Sequence, residues 1–131
     1  MYTEIFVRAE LSKDTPAPVI EMLRAIFNQE GDPCEIQTRH NFEHALFKTP
    51  RWFFIGSSCS FYHLPRPTSV MFCEQGRWYI CSRSDFKNYN NEIELFWDWF
   101  RPWVCKPDAE CIGWQWYEED DMPTLVKTCP D

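Results

Sequence analysis

The chain has 131 residues, of which 44% are apolar and 18% aromatic, and its net charge is −7. That length fits a single compact domain over 1–131, and the many large rings exclude disorder as its main state. The negative charge disfavours broad DNA or membrane binding, and no stretch approaches the roughly 20 apolar residues of a membrane span. The start of the chain lacks the basic and apolar segments of a signal peptide, so we expect a cytoplasmic protein.

The first part of the chain predicts a strand followed by a helix. Residues 2–11 are rich in β-branched and aromatic side chains around Ile5 and Val7. Asp14 or Thr15 is placed to cap a helix, with Pro16 at an early helical position. The helix carries apolar residues at helical spacing, namely Val19, Met22, Leu23 and Ile26.

Less regular segments follow. Residues 34–50 are mixed and polar, which predicts a loop with a short helical turn. The apolar runs 51–55 and 59–63 each predict a strand.

The second half predicts a hairpin, a helix and a second hairpin. Residues 69–84 turn at Gln75 and Gly76, which pairs residue 73 with 78 and residue 71 with 80. Asn90 is placed to cap a helix over 91–104, and segments 112–117 and 122–128 form the last hairpin. The order β-α-β-β-β-β-α-β-β predicts an α+β fold with two layers, an antiparallel sheet and two helices on one of its faces.

The second helix is too apolar for one buried stripe. Leu95 and Trp99 lie off the Ile93/Phe96/Phe100 stripe, and Trp103 flanks it. A wrapped core or a partner interface, including a homodimer, would each explain this surplus. We favour the interface with Trp99 as its anchor, because tryptophan is enriched at interface hot spots.

Charge is unevenly distributed along the chain. Residues 39–87 hold seven Lys or Arg against three acidic residues, a local charge of +4, whereas 108–131 hold seven acidic residues against one lysine, a local −6. On the predicted hairpin, Arg77, Tyr79 and Arg83 share a face and could hold a nucleotide-like anion, although a solvated outer face gives the same alternation. The predicted β-turn of the last hairpin consists of four acidic residues, Glu118, Glu119, Asp120 and Asp121. This turn could contact a basic partner.

Two catalytic alternatives remain open in the sequence. His40, Glu43 and His44 match a zinc-hydrolase spacing, which requires a helix to bring both histidines onto one face. We favour a polar loop there and expect no metal and no cofactor. Any cysteine near His63 could be a nucleophile, but no local signature selects one. With an odd count and no Cys-x-x-Cys pair, the seven cysteines favour reduced apolar fillers: Cys34, Cys59, Cys73, Cys81, Cys105, Cys111 and Cys129.

Parts of the chain resemble a family of small accessory proteins encoded by phages and prophages. The similarity covers the block 87–94 with Phe96, Trp99 and Pro102, the opening residues 1–4, and 117–119 with 123–124. The resemblance implies a protein of the bacterial host cytoplasm that binds, and inhibits or redirects, a host protein, including one of anti-phage defence. It implies no catalytic residues. The alternatives are a protein that sequesters a nucleotide-like small molecule and a small metal- or cysteine-dependent hydrolase.

Overall fold

The computed structural model describes residues 1–60, 65–104 and 110–128. Within these residues it contains five β-strands and three α-helices, so the predicted α+β class is confirmed. The strands are β1 (Thr3–Glu10), β2 (Thr68–Glu74), β3 (Arg77–Phe86), β4 (Cys111–Tyr117) and β5 (Thr124–Lys127). The helices are α1 (Ala17–Asn28), α2 (Pro33–His40) and α3 (Glu92–Phe100), and short 3₁₀ helices cover Ala45–Lys48, Trp52–Phe54 and Arg101–Trp103.

The strands form one antiparallel sheet in the order β2-β3-β1-β4-β5. The first strand of the chain therefore lies at the centre, where both of its edges are paired. Ile5 and Val7 are buried under the helices, whereas Arg8 on the opposite face is exposed, because successive side chains of a strand alternate.

The helical layer packs on the face that carries Ile5 and Val7. In α1, Met22 and Ile26 are fully buried, as the helical spacing predicts. Phe27 of α1 meets Phe96 of α3 edge to face, with ring centroids 5.8 Å apart. Each buried side chain of this kind contributes about 1.5–3 kcal/mol, so these contacts hold the helices together and onto the sheet.

Gly113 of β4 lies close to both the neighbouring strand β1 and the helical layer. A Cβ atom there would lie 1.9 Å from the Phe6 carbonyl oxygen and 2.9 Å from the Trp97 ring. The pairing of β4 with β1, next to a register shift between Cys111 and Gly113, therefore requires glycine at this position.

The exposed edge of β2 is closed by a side chain of α1. Asn28 accepts the Met71 backbone N–H at 2.6 Å through Oδ1 and donates to the Met71 carbonyl through Nδ2. The amide thus takes the place of a neighbouring strand, which protects this edge from pairing with another chain.

Both predicted hairpins are confirmed. Gln75 and Gly76 have φ of 52° and 78°, the left-handed conformation that two-residue hairpin turns require. Met71 pairs with Ile80 and Cys73 pairs with Trp78, which is the predicted register. The last hairpin forms from β4 and β5, with β5 at the sheet edge.

Two segments before the first hairpin differ from the prediction. Residues 51–55 do not form a strand, because Trp52–Phe54 tightens into a 3₁₀ helix and the Trp52 ring packs on Phe47 at 4.9 Å. The predicted loop over 34–50 contains α2, which begins where Asp32 accepts the Cys34 N–H at 3.0 Å. Residues 61–63 of the strand predicted over 59–63 lie outside the described residues, so the structure does not test this strand.

The second predicted helix is shorter than expected. It runs over Glu92–Phe100 and continues as the 3₁₀ helix Arg101–Trp103, in which Pro102 cannot donate a backbone hydrogen bond. Asn90 does not cap it. Instead, Asn88 Oδ1 accepts the Ile93 N–H at 2.9 Å.

Candidate functional site

One face of the sheet carries the candidate site. The helices cover the face beneath Ile5, and no described element covers the opposite face, which we call the open face. Its side chains follow from strand alternation and register: Glu4, Phe6, Arg8 and Glu10 of β1, Val70 and Phe72 of β2, Arg77, Tyr79, Cys81 and Arg83 of β3, Trp114 and Trp116 of β4, and Leu125 and Lys127 of β5.

Two aromatic stacks lie on the open face. Phe6 stacks on Trp114 with ring centroids 4.3 Å apart, and Phe72 stacks on Tyr79 at 5.3 Å. Phe72 is 41% exposed, and Leu125, the register partner of Trp114, is 56% exposed. A soluble domain rarely exposes several large apolar side chains together unless they contact something, so this face is a candidate binding surface.

The arginines predicted to hold an anion are already paired. Arg77, Tyr79 and Arg83 do share the open face, as predicted. However, Arg77 contacts Glu10 at 2.6 Å and Arg83 contacts Glu4 at 2.7 Å across the strands. A ligand phosphate would have to displace these carboxylates, which lowers the suitability of the three residues as an anion site. Their ligand-binding role stays a prediction.

Arg8 is the cation at the centre of the open face. It is exposed, and among the described residues it makes no ion pair. It shares a shallow depression of about 300 Å³ with Cys81 and Cys111, and the lining also includes Glu110 and Glu10, the latter paired with Arg77. Lys127 is the register partner of Cys111. Positive charge that is free to bind a partner therefore lies here and not at Arg77 or Arg83.

An acidic concavity borders the open face at the end of β1 where the chain starts. It has a volume of about 390 Å³ and is lined by Tyr2, Glu4, Arg83, Asp85, Trp116, Glu118 and Asp120. Its carboxylates outnumber its single arginine, and that arginine is paired with Glu4. Because Trp116 is 37% exposed, the concavity also has an aromatic wall.

The acidic turn that was predicted as a partner interface forms one side of this concavity. All four residues of 118–121 are exposed. The turn is held against the start of the chain, because Glu118 Oε1 accepts the Tyr2 N–H at 3.0 Å. Trp116 Nε1 donates to the Asp120 carbonyl at 2.9 Å, which orders the other side of the turn. The turn is thus a fixed part of the surface, and its interface role stays a prediction.

The prediction that Trp99 is an exposed ring is wrong. Its side chain is 7% exposed, and its ring lies 5.2 Å from that of Phe47 and 5.9 Å from that of Phe42. The segment that we expected to be a polar loop folds over this side of α3. Leu95 and Trp103 are half-buried and pack against the core, so the reason for placing an interface on this helix face no longer holds.

The histidines of the zinc-like motif do not converge. The helix α2 ends at His40, and Asn41 turns left-handed with φ of 52°, so His40 and His44 do not share a helical face. His40 contacts Glu21 at 2.7 Å. His44 contacts Asp98 at 2.8 Å through Nε2, while its Nδ1 accepts the Leu46 N–H.

Glu21 is the most strongly perturbed carboxyl group of this region. Hydrogen bonds from Arg39 and then from His40 lower the pKa of Glu21 to about 2. Within the described residues no cluster of three or more His, Cys, Asp or Glu side chains could hold a metal ion. The arrangement is therefore a surface ion-pair network.

The described cysteines are not the core fillers that the sequence predicted. Those described as free are all exposed: Cys34, Cys59, Cys73, Cys81 and Cys111. Cys73 and Cys81 lie on opposite faces of their hairpin, as the register predicts. Cys105, Cys129 and His63 lie outside the described residues, and so does any pairing of a cysteine with His63.

The sequence interpretation missed the central part of the site. Glu4, Phe6, Arg8 and Glu10 alternate with buried residues, and Trp114 and Trp116 have the same period of two. This alternation identifies a second face on each strand, but only the strand order places these faces side by side.

Among the described residues, no helix combines the length and the apolar character needed to cross a membrane. No protein-family model, no curated protein and no solved structure matches this chain.

Proposed function

We propose that this protein is a phage-type accessory protein that acts stoichiometrically, by binding a host protein in the bacterial cytoplasm, and that it is not an enzyme. The observation that supports a binding role is the open face, where stacked and exposed rings lie on a sheet face that no described element covers. The resemblance of segment 87–94 to phage-encoded accessory proteins supports a host protein as the target, with inhibition or redirection as the outcome.

The exposed rings give the proposed surface its binding free energy. Phe72 and Trp116 are already held in fixed positions by the sheet, so little side-chain freedom is lost when a partner covers them. Burying one such side chain contributes about 1.5–3 kcal/mol, and tryptophan and tyrosine are frequent interface hot spots. A few of these contacts are enough for a specific complex.

The test is capture of a target from bacterial lysate by the wild-type protein and by matched variants. The double variant Phe72→Ser with Trp116→Ser removes two rings from the open face. The control variant, Phe54→Ser, removes a ring that is 48% exposed but lies outside that face. We expect the double variant to lose the target and the control to retain it.

Purified target should then bind the wild-type protein at a fixed ratio in titration calorimetry. Retention of the target by the double variant, or its loss in Phe54→Ser, would remove the open face as the binding surface. Catalytic turnover of a substrate by the wild-type protein would contradict the stoichiometric role.

A further inference from the structure

We infer that the open face also binds a second copy of this chain, with Arg8 of each copy entering the acidic concavity of the other. This inference goes beyond the binding of a host protein and depends on a different observation, which is the order of the charges along β1. In the protein without a host partner, a second copy of the chain therefore covers the open face.

The order of side chains on β1 makes the open face self-complementary. Glu4, Phe6 and Arg8 follow one another on this face, with about 6–7 Å between neighbours. When the open faces of two copies meet, a two-fold axis can lie midway between the sheets, perpendicular to the strands, and pass over Phe6. It exchanges the positions of Glu4 and Arg8, so Arg8 of each copy lies over the Glu4 end of the other copy, beside the acidic concavity. Such a contact is isologous and closes as a dimer.

The acidic concavity is suited to receive this arginine. Glu4 forms one of its walls but already pairs with Arg83 at 2.7 Å, so the Asp120 carboxylate beside it is the group that meets the incoming arginine. The Trp116 ring supplies an aromatic face on which a guanidinium group can stack. Two sheets packed face to face lie about 10 Å apart. A long arginine side chain on one copy spans that gap and enters the concavity of the other copy.

Apolar contacts at the axis support the same arrangement. Phe6 and Trp114 lie nearest the axis and meet their own counterparts, which buries rings that are partly exposed in the single chain. Arg83, the register partner of Phe6, also lies on the axis, and Glu4 of its own chain balances its charge there. Five strands about 4.8 Å apart and about seven residues long give a face of roughly 24 Å by 23 Å. Together the two copies bury on the order of 1,000 Å², the lower limit of specific interfaces, so we expect a dimer of micromolar affinity.

The dimer and a host protein on the open face exclude each other. Self-association keeps the exposed rings covered until a target competes for them. If the wild-type protein proves to be monomeric, the proposed host-binding function still stands, and if no target is found, the dimer is still testable with the pure protein.

The experiment is sedimentation velocity on the full chain from about 1 to 300 µM, the range in which a micromolar dimer dissociates. The wild-type protein should change from monomer to dimer across it. Arg8→Glu should weaken the dimer about 100-fold, because it places like charges in contact at two equivalent sites. Lys48→Glu, an equal change of charge at an exposed site on the 3₁₀ helix Ala45–Lys48, should leave it unchanged.

A charge swap tests the contact itself. Combining Arg8→Glu with Asp120→Arg should restore dimerisation at least tenfold over Arg8→Glu alone, because opposite charges again face each other. Circular dichroism confirms that each variant is folded, and Arg8→Gln serves as the milder variant if Arg8→Glu is not. A monomeric wild-type protein, a dimer that survives both Arg8 variants, or a charge swap without recovery would overturn the inference.

Discussion

Replacing Trp99 with alanine should destabilise the fold and leave the oligomeric mass unchanged. The side chain is 7% exposed, and its ring contacts those of Phe42, Phe47 and Phe96 at 5.9, 5.2 and 6.4 Å. Truncating a buried tryptophan costs roughly 3–5 kcal/mol, and aromatic pairs contribute about 0.5–1.5 kcal/mol each beyond their buried area. A domain of this kind is stable by only about 5–15 kcal/mol, so the loss is a large fraction of the total.

Urea denaturation measures this loss, and Trp116→Ala is the matched control. Trp116 is 37% exposed and donates one hydrogen bond, so we expect its truncation to cost less than about 1.5 kcal/mol. For a chain of this length, the Tm of Trp99→Ala should fall by roughly 10–20 °C. A smaller loss than in Trp116→Ala, or a changed mass with an unchanged Tm, would refute the packing of 42–47 over α3.

Three further substitutions test other contacts. Asn28→Ala should lower the free energy of unfolding by about 1–3 kcal/mol, since both backbone groups of Met71 lose their partner. Urea denaturation measures this loss, and an unchanged midpoint would contradict the edge-closing role. Gly113→Ala should cost more than about 4 kcal/mol or prevent folding, because its Cβ overlaps backbone on β1, and a folded variant with wild-type Tm would refute the close approach. Glu21 has its folded pKa lowered to about 2 from 4.5, so its stabilising contribution is present above pH 4.5 and is lost as the pH falls toward 2. Acid titration of Glu21→Gln should therefore show a smaller loss of stability over that interval than the wild-type protein, although the effect is small at an exposed site.

Local patterns in the chain account for much of the fold. The alternation in β1, the helical spacing in α1 and the two positive φ values at Gln75 and Gly76 each depend on neighbouring residues only. The strand predicted over 51–55 was wrong because local information is not enough there. A short apolar run fits a strand and a buried helical turn equally well, and contact with Phe47 decides between them.

The sequence by itself determined the α+β class, both hairpins and the presence of an alternating polar and aromatic face on the strands. Only the tertiary structure decided which of these side chains are available to a partner. Arg77 and Arg83 lose their free charge to carboxylates 67 and 79 residues away in the chain, and Trp99 is covered by rings from a distant segment. Arg8 makes no ion pair among the described residues. It lies at the centre of the sheet because β1, the first strand of the chain, is placed between β3 and β4. Such pairings depend on strand order, which no local spacing encodes.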